Sequence, residues 1–136
     1  MSCGRQACAC EKLPTPVPLI GALHQAAAGA PVLVVAERHQ RIPELLHAAR
    51  AYAGADPDIK IRRSAGNEQI TFTSGGRIRF MTVRQVVEYS AARGHSVKHL
   101  YLPAAARFDQ TLNRELIPCT ASHADASITY TGELGR

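Results

Sequence analysis

Apolar residues recur along this chain with two different periods, and the changes of period divide it into elements. Leu19, Ile20, Leu23, Ala26 and Ala27 fall at helical spacing, with Pro18 suited to a first turn and Gly29 to a C-terminal stop. Val32-Leu33-Val34-Val35-Ala36 follows as a short, β-branched, unbroken apolar run. Such a run predicts a strand buried in a parallel sheet with helices on both faces. From Arg41 to Tyr52 the helical period returns in Ile42, Leu45, Leu46, Ala49 and Tyr52, with Pro43 tolerable in the first turn and Gly54 as the stop.

Between Ile59 and Thr82 the period becomes two. Ile59 and Ile61, Ile70 and Phe72, and Ile78 and Phe80 alternate with Thr, Lys or Arg, which predicts three half-buried strands. Gly66-Asn67 and Ser74-Gly75-Gly76 lie between them and suit the positive backbone dihedrals of tight hairpins. A short helix over Val83–Ala91, a second apolar strand over Val97–Leu102, a helix over Phe108–Leu116 and a last strand over Ser127–Thr131 complete the pattern. Upstream, Pro14, Pro16 and Pro18 space out an extended connector, so residues 1–16 are expected to be partly irregular. Strands alternating with helices, plus one antiparallel insert, predict a single layered α/β domain over 1–136.

Composition narrows this only a little. A chain of 136 residues, 46% hydrophobic and 20% charged, is long and apolar enough to bury a core and is not a disordered profile. No apolar run approaches the roughly 20 residues of a membrane span, and no signal-peptide core lies near Met1, so no membrane partner and a cytoplasmic location are expected. Cys3, Cys8 and Cys10 crowd one end while Cys119 stands alone, which is not a disulfide framework. Their C-x4-C-x-C spacing lacks the C-x2-C knuckles of a zinc site, so no metal is expected. The net charge of +5 is compatible with nucleic acid, an acidic partner or merely a soluble surface.

Lys60 and Arg62 share one face of their strand, as do Arg77 and Arg79 of theirs, while Ile59, Ile61, Ile78 and Phe80 point the other way. With Arg63, these side chains would make a basic ribbon suited to phosphate-backbone contact without base reading. With few aromatics to stack bases, a solvated sheet face is the simpler expectation. His95 and His99 sit four apart across a predicted strand, a spacing that would serve a metal only on a helix, so they are expected to be surface or satisfied histidines. Asp109 is expected to cap a helix and Glu115 to be a solvated helix residue. No Ser-His-Asp or Cys-His arrangement stands out.

The chain also carries, in order, Gly4-Arg5-Gln6-Ala7-Cys8-Ala9-Cys10, Ile61-Arg62-Arg63-Ser64-Ala65-Gly66-Asn67-Glu68, Gly76-Arg77-Ile78-Arg79-Phe80, Arg93-Gly94-His95-Ser96, Leu100-Tyr101-Leu102-Pro103-Ala104 and Thr129-Tyr130-Thr131-Gly132. In that order and at those separations they resemble the ATPase domain of phage large terminase subunits, RecA-like P-loop motors that pump DNA into capsids. The first resembles the family's G-R-Q-x-G-K-[ST] phosphate loop, the next two its hairpin insert, the fifth its L-I-L-D-E-A strand and the last its Thr-Gly coupling motif. The resemblance implies a RecA-like α/β/α domain whose sheet is mostly parallel.

It also implies that the nucleotide site is gone. Cys8, Ala9 and Cys10 stand where glycine, lysine and a hydroxyl would grip phosphate and magnesium, beside Arg5 and Gln6 of the same loop. Lys12, two residues on, would point about 200° away on a helix's first turn. Pro103 and Ala104 replace the metal-binding aspartate and the water-activating glutamate. The expectation is a non-catalytic protein without cofactor. The resemblance further implies that the family's buried strand before the phosphate loop is missing, leaving a gap or unpaired edges that rearrangement or self-association would close, and that its nuclease domain is absent too. The leading expectation is a phage-encoded binding protein in the host cytoplasm, whose targets include a host protein that it inhibits or a ring ATPase whose interface it imitates. The alternatives are a DNA-binding accessory protein using the ribbon, or a residual NTPase.

Overall fold

The protein is described by a computed structural model, over residues 17–64 and 66–131. The elements are α1 (Val17–Ala27), β1 (Pro31–Ala36), α2 (Arg41–Ala53), β2 (Ile59–Arg62), β3 (Gln69–Phe72), β4 (Arg77–Thr82), α3 (Val83–Tyr89), β5 (His99–Pro103), α4 (Gln110–Leu116) and β6 (Ser127–Thr131). Two 3₁₀ turns, Ala104–Phe108 and Ile117–Thr120, flank α4. The expected irregularity of residues 1–16 lies outside the described residues.

The six strands among the described residues form one sheet in the order β2-β3-β4-β1-β5-β6. β1 pairs in parallel with β4 on one side and β5 on the other, and β6 extends the parallel set. β2, β3 and β4 form an antiparallel meander. The sheet is therefore unbroken, and the expected gap is absent among the described residues; its two edges are β2 and β6.

Two apolar cores sandwich the middle of the sheet. Alternate residues of β1 serve opposite faces: Val32 and Val34 join Ile70, Ile78, Phe80 and Tyr101 under α1 and α2, where Leu19, Leu23, Ile42 and Leu46 are buried. Leu33 and Val35 join Met81, Leu100 and Leu102 beneath Val86 of α3 and Leu112 and Leu116 of α4. An unbroken apolar run is what burial on both faces demands.

The structure corrects several expectations. β4 is not an outlying strand of a hairpin insert but a central one, aligned residue for residue with β1 from Arg77 opposite Pro31 to Thr82 opposite Ala36. Its second half, Phe80, Met81 and Thr82, is buried on consecutive positions, because helices cover both faces there. Gly75 does take a positive φ of 96°, as a tight turn requires, but Gly76 is needed for space: a Cβ there would stand 1.8 Å from the carbonyl oxygen of Ala26 at the end of α1. Tyr52 is 47% exposed rather than in the core, its hydroxyl 3.2 Å from His24 Nε2. The helix expected from Phe108 starts at Gln110, because extended Asp109 is its cap and accepts a hydrogen bond from the Leu112 amide at 3.0 Å. The strand expected from Val97 starts at His99. Before it, the Val97 amide bonds the Cys119 carbonyl and the Lys98 amide that of Pro31.

Candidate functional site

The period-two alternation of β2, β3 and β4 sends Ile59, Ile61, Ile70, Phe72, Ile78 and Phe80 into the core beneath α1 and α2. The residues between them face the other side. Register places Lys60 opposite Thr71 and Thr71 opposite Arg77, and places Arg62 opposite Gln69 and Gln69 opposite Arg79. The result is two parallel rows across three strands, cationic at both ends and polar in the middle. Rows two residues apart along a strand lie about 7 Å from each other.

This face is open where the basic rows cross it. The core beneath α3 and α4 contains no residue of β2 or β3. Lys60, Arg62 and Arg63 are exposed, and Gln69, Thr71, Arg77 and Arg79 are half-buried. Among the described residues, no carboxylate forms an ion pair with any of these cations; the ion pairs present involve Arg41, Arg84, Arg93, Lys98 and His39. Burial and then the neighbouring Arg77 charge hold the Arg79 guanidinium below the usual arginine range, and its Nε–H is buried with no acceptor.

The segment between α3 and β5 brings His95 to the same place. His95, Arg77 and Arg79 line a small niche of about 10 Å³ at the start of β1, together with Pro31, Leu33 and Ser96. Burial, then the charges of Arg79 and Arg77, push the His95 imidazolium below its usual pKa. Beyond His95 a wider cleft of about 430 Å³ opens between Arg93, Arg114, Glu115, Pro118 and Cys119. Glu115 is not a solvated helix residue as expected: its side chain is only 15% exposed and accepts two hydrogen bonds from Arg93, at 3.1 and 3.0 Å. Those bonds hold the Glu115 carboxyl below the usual glutamate range. Cys119 donates to the Ala92 carbonyl at 3.1 Å, and burial raises its thiol pKa, which disfavours the thiolate.

Of the residues assigned to the degenerate nucleotide site, only two fall among the described ones. Pro103 is buried at the C-terminal end of β5 and Ala104 is exposed in the turn that follows. Arg5, Gln6, Cys8, Ala9 and Cys10 lie outside the described residues, as does Cys3. Among the described residues, no three His, Cys, Asp or Glu side chains cluster as metal ligands. His99 Nδ1 lies 2.7 Å from Ser127 Oγ, and His123 Nε2 lies 2.9 Å from Ser96 Oγ, so both histidines have partners within the fold.

Sequence reasoning missed Gln69 and Thr71, although they alternate with Ile70 and Phe72 by the same period that exposed the cations. It also missed that His95 meets Arg77 and Arg79, for which no local signal exists.

No family model matches the chain, and no curated protein matches it. Among solved structures it is similar to the large terminase of a thermophilic bacteriophage, determined in complex with ADP. The TM-score is 0.59 at 13% identity, over 87% of this chain. The fold is terminase-like. The chain spans only 30% of that protein's length. The six-stranded, mostly parallel sheet with its antiparallel meander and flanking helices agrees with the RecA-like class. No helix among the described residues is long and apolar enough to cross a membrane.

Proposed function

We propose that the protein is a binding module on a terminase-like, RecA-like scaffold, and that its ligand is the phosphate backbone of nucleic acid. What supports this reading is the open sheet face, where Lys60, Arg62, Arg77 and Arg79 stand in two rows without a carboxylate partner among the described residues. Evenly spaced cations without stacking aromatics suit backbone contact rather than base reading. Nucleotide hydrolysis is not part of the proposal, since Pro103 and Ala104 offer neither a metal ligand nor a base.

The test is binding of a labelled oligonucleotide across a salt series. Affinity should fall linearly on a log–log plot, and each alanine at Arg62, Arg77 or Arg79 should weaken binding of all sequences alike and reduce the slope by about 1. Binding that is insensitive to salt, or to all three substitutions, would sink the reading. Magnesium-dependent ATP binding by calorimetry would revive the NTPase alternative.

A second reading, a protein partner, has its own support at the opposite edge. β6 pairs only with β5 among the described strands, and Ile128 on it is 43% exposed, while Phe108, just before α4, is 85% exposed. A strand of a second copy, or of a host protein inhibited by a phage-encoded factor, would add at this edge. Sedimentation of the purified protein as a monomer at all concentrations would remove the self-association form of this reading.

A further inference from the structure

We propose that the niche between Arg77, Arg79 and His95 is an oxyanion site that takes one oxygen of a phosphate group. This rests on the reading of the open face as a phosphate-backbone interface, and it singles out one anchoring point within that face. The niche volume of about 10 Å³ is close to what one water-sized atom occupies, so a whole phosphate does not enter but a single oxygen does.

The chemistry of the lining asks for an acceptor. The Arg79 Nε–H is buried with no partner. Arg77 and Arg79 supply positive charge from β4, and His95 supplies a third nitrogen donor when protonated. The one hydroxyl on the wall, Ser96 Oγ, is engaged elsewhere, 2.6 Å from Ser122 Oγ and 2.9 Å from His123 Nε2. The carboxylate of the adjoining cleft, Glu115, is held in a bidentate pair by Arg93, with Arg114 beside it and the neutral Cys119 thiol on the same wall. A buried donor without an acceptor is costly, and an anionic oxygen answers it better than a neutral one.

Occupancy has a readable consequence. Burial first, and then the charges of Arg79 and Arg77, disfavour the His95 imidazolium, and a bound dianion opposes the charge part of that effect. His95 then takes a proton from solvent, and binding tightens as the pH falls through the histidine range. Sulfate is the cleaner probe of this linkage, because its own charge is constant there.

The experiment is NMR titration of the His95 ring in chloride and in sulfate or inorganic phosphate at matched ionic strength. In the oxyanions the midpoint should rise by about one pH unit or more. Arg79→Lys, which keeps the charge but removes the Nε–H, should abolish the rise. Arg62→Ala, outside the niche, should keep the rise while weakening a single-stranded oligonucleotide. That pattern separates the two proposals: a native protein that shows the His95 response but does not bind the oligonucleotide, or whose oligonucleotide affinity Arg62→Ala leaves unchanged, overturns only the backbone reading. An unchanged midpoint in sulfate and phosphate means a water occupies the niche, and it overturns the inference, as does a wild-type response in Arg79→Lys. Should that variant not fold, His95→Gln gives a second arm. Calorimetric sulfate affinity should rise several-fold between about pH 8 and pH 6 in the native protein and stay flat in the variant; equal pH dependence in both would also overturn it.

Discussion

The inner half of the sheet, β1 with β5 and the end of β4, and its outer half, β2 and β3 with the start of β4, are built from strands of similar length but opposite surroundings. In the inner half both faces are roofed by helices, and Leu33, Val35, Leu100 and Leu102 share one roof while Val32, Val34 and Tyr101 share the other. In the outer half one face packs under α1 and α2 and the other bears Lys60, Arg62, Arg77 and Arg79. The difference teaches that a doubly covered core and an open basic face are laid out side by side on one sheet. β4 crosses the boundary, with half-buried arginines at its start and buried Phe80, Met81 and Thr82 at its end.

The sharpest way to break this division is to cut one residue from each half. Leu102→Ala, in the roofed half, should cost about 2–5 kcal/mol in denaturant unfolding, whereas Lys60→Ala, on the open face, should stay within about 0.5 kcal/mol. Comparable losses would mean that the open face is structural. Next in size, Gly76→Ala should cost about 1–3 kcal/mol, because its new methyl collides with the Ala26 carbonyl and pushes α1 off the start of β4. Thr82→Ala tests the boundary itself: it removes the hydroxyl that accepts from the Gln85 amide at 3.1 Å in a capping box, for about 1 kcal/mol by thermal melting.

The smallest effect is one of pH. The Glu115 carboxyl is depressed by its bonds to Arg93, so the pair's contribution is complete above the ordinary glutamate pKa of about 4.3 and disappears as the pH falls through the lower, folded value. Arg93→Ala should therefore be less stable than the native protein at neutral pH and converge with it in acid. A gap that persists in acid would mean that Arg93 acts by packing alone.

What could be read in the chain depended on how local its cause was. The run Val32–Ala36 announced a doubly covered strand because every residue in it is buried. The cations of β2 and β4 were legible as two one-sided strands, but that they share one face follows from the register through Gln69 and Thr71, a pairing between strands. The central place of β4 was hidden because Arg77 and Arg79 make its first half look peripheral, while its parallel pairing with β1 joins residues 46 positions apart. The Arg93–Glu115 pair joins residues 22 apart in sequence on different elements, and no periodicity records it. Asp109 and Gly75, whose roles depend on their immediate neighbours, were correctly placed from the chain alone.

The Cys119 thiol, sealed beneath the Ala92 carbonyl, gives the inner half a clock. Although Cys119 borders the cleft beside Arg93 and Glu115, it is only 5% exposed and its thiol is bonded to the Ala92 carbonyl, so fast alkylation waits for the α4 region to lift and its rate reports openings of the roof. Loading the basic face with ligand should leave that clock running at its native pace if the two halves of the sheet breathe independently, and slow it if β4 carries the restraint across.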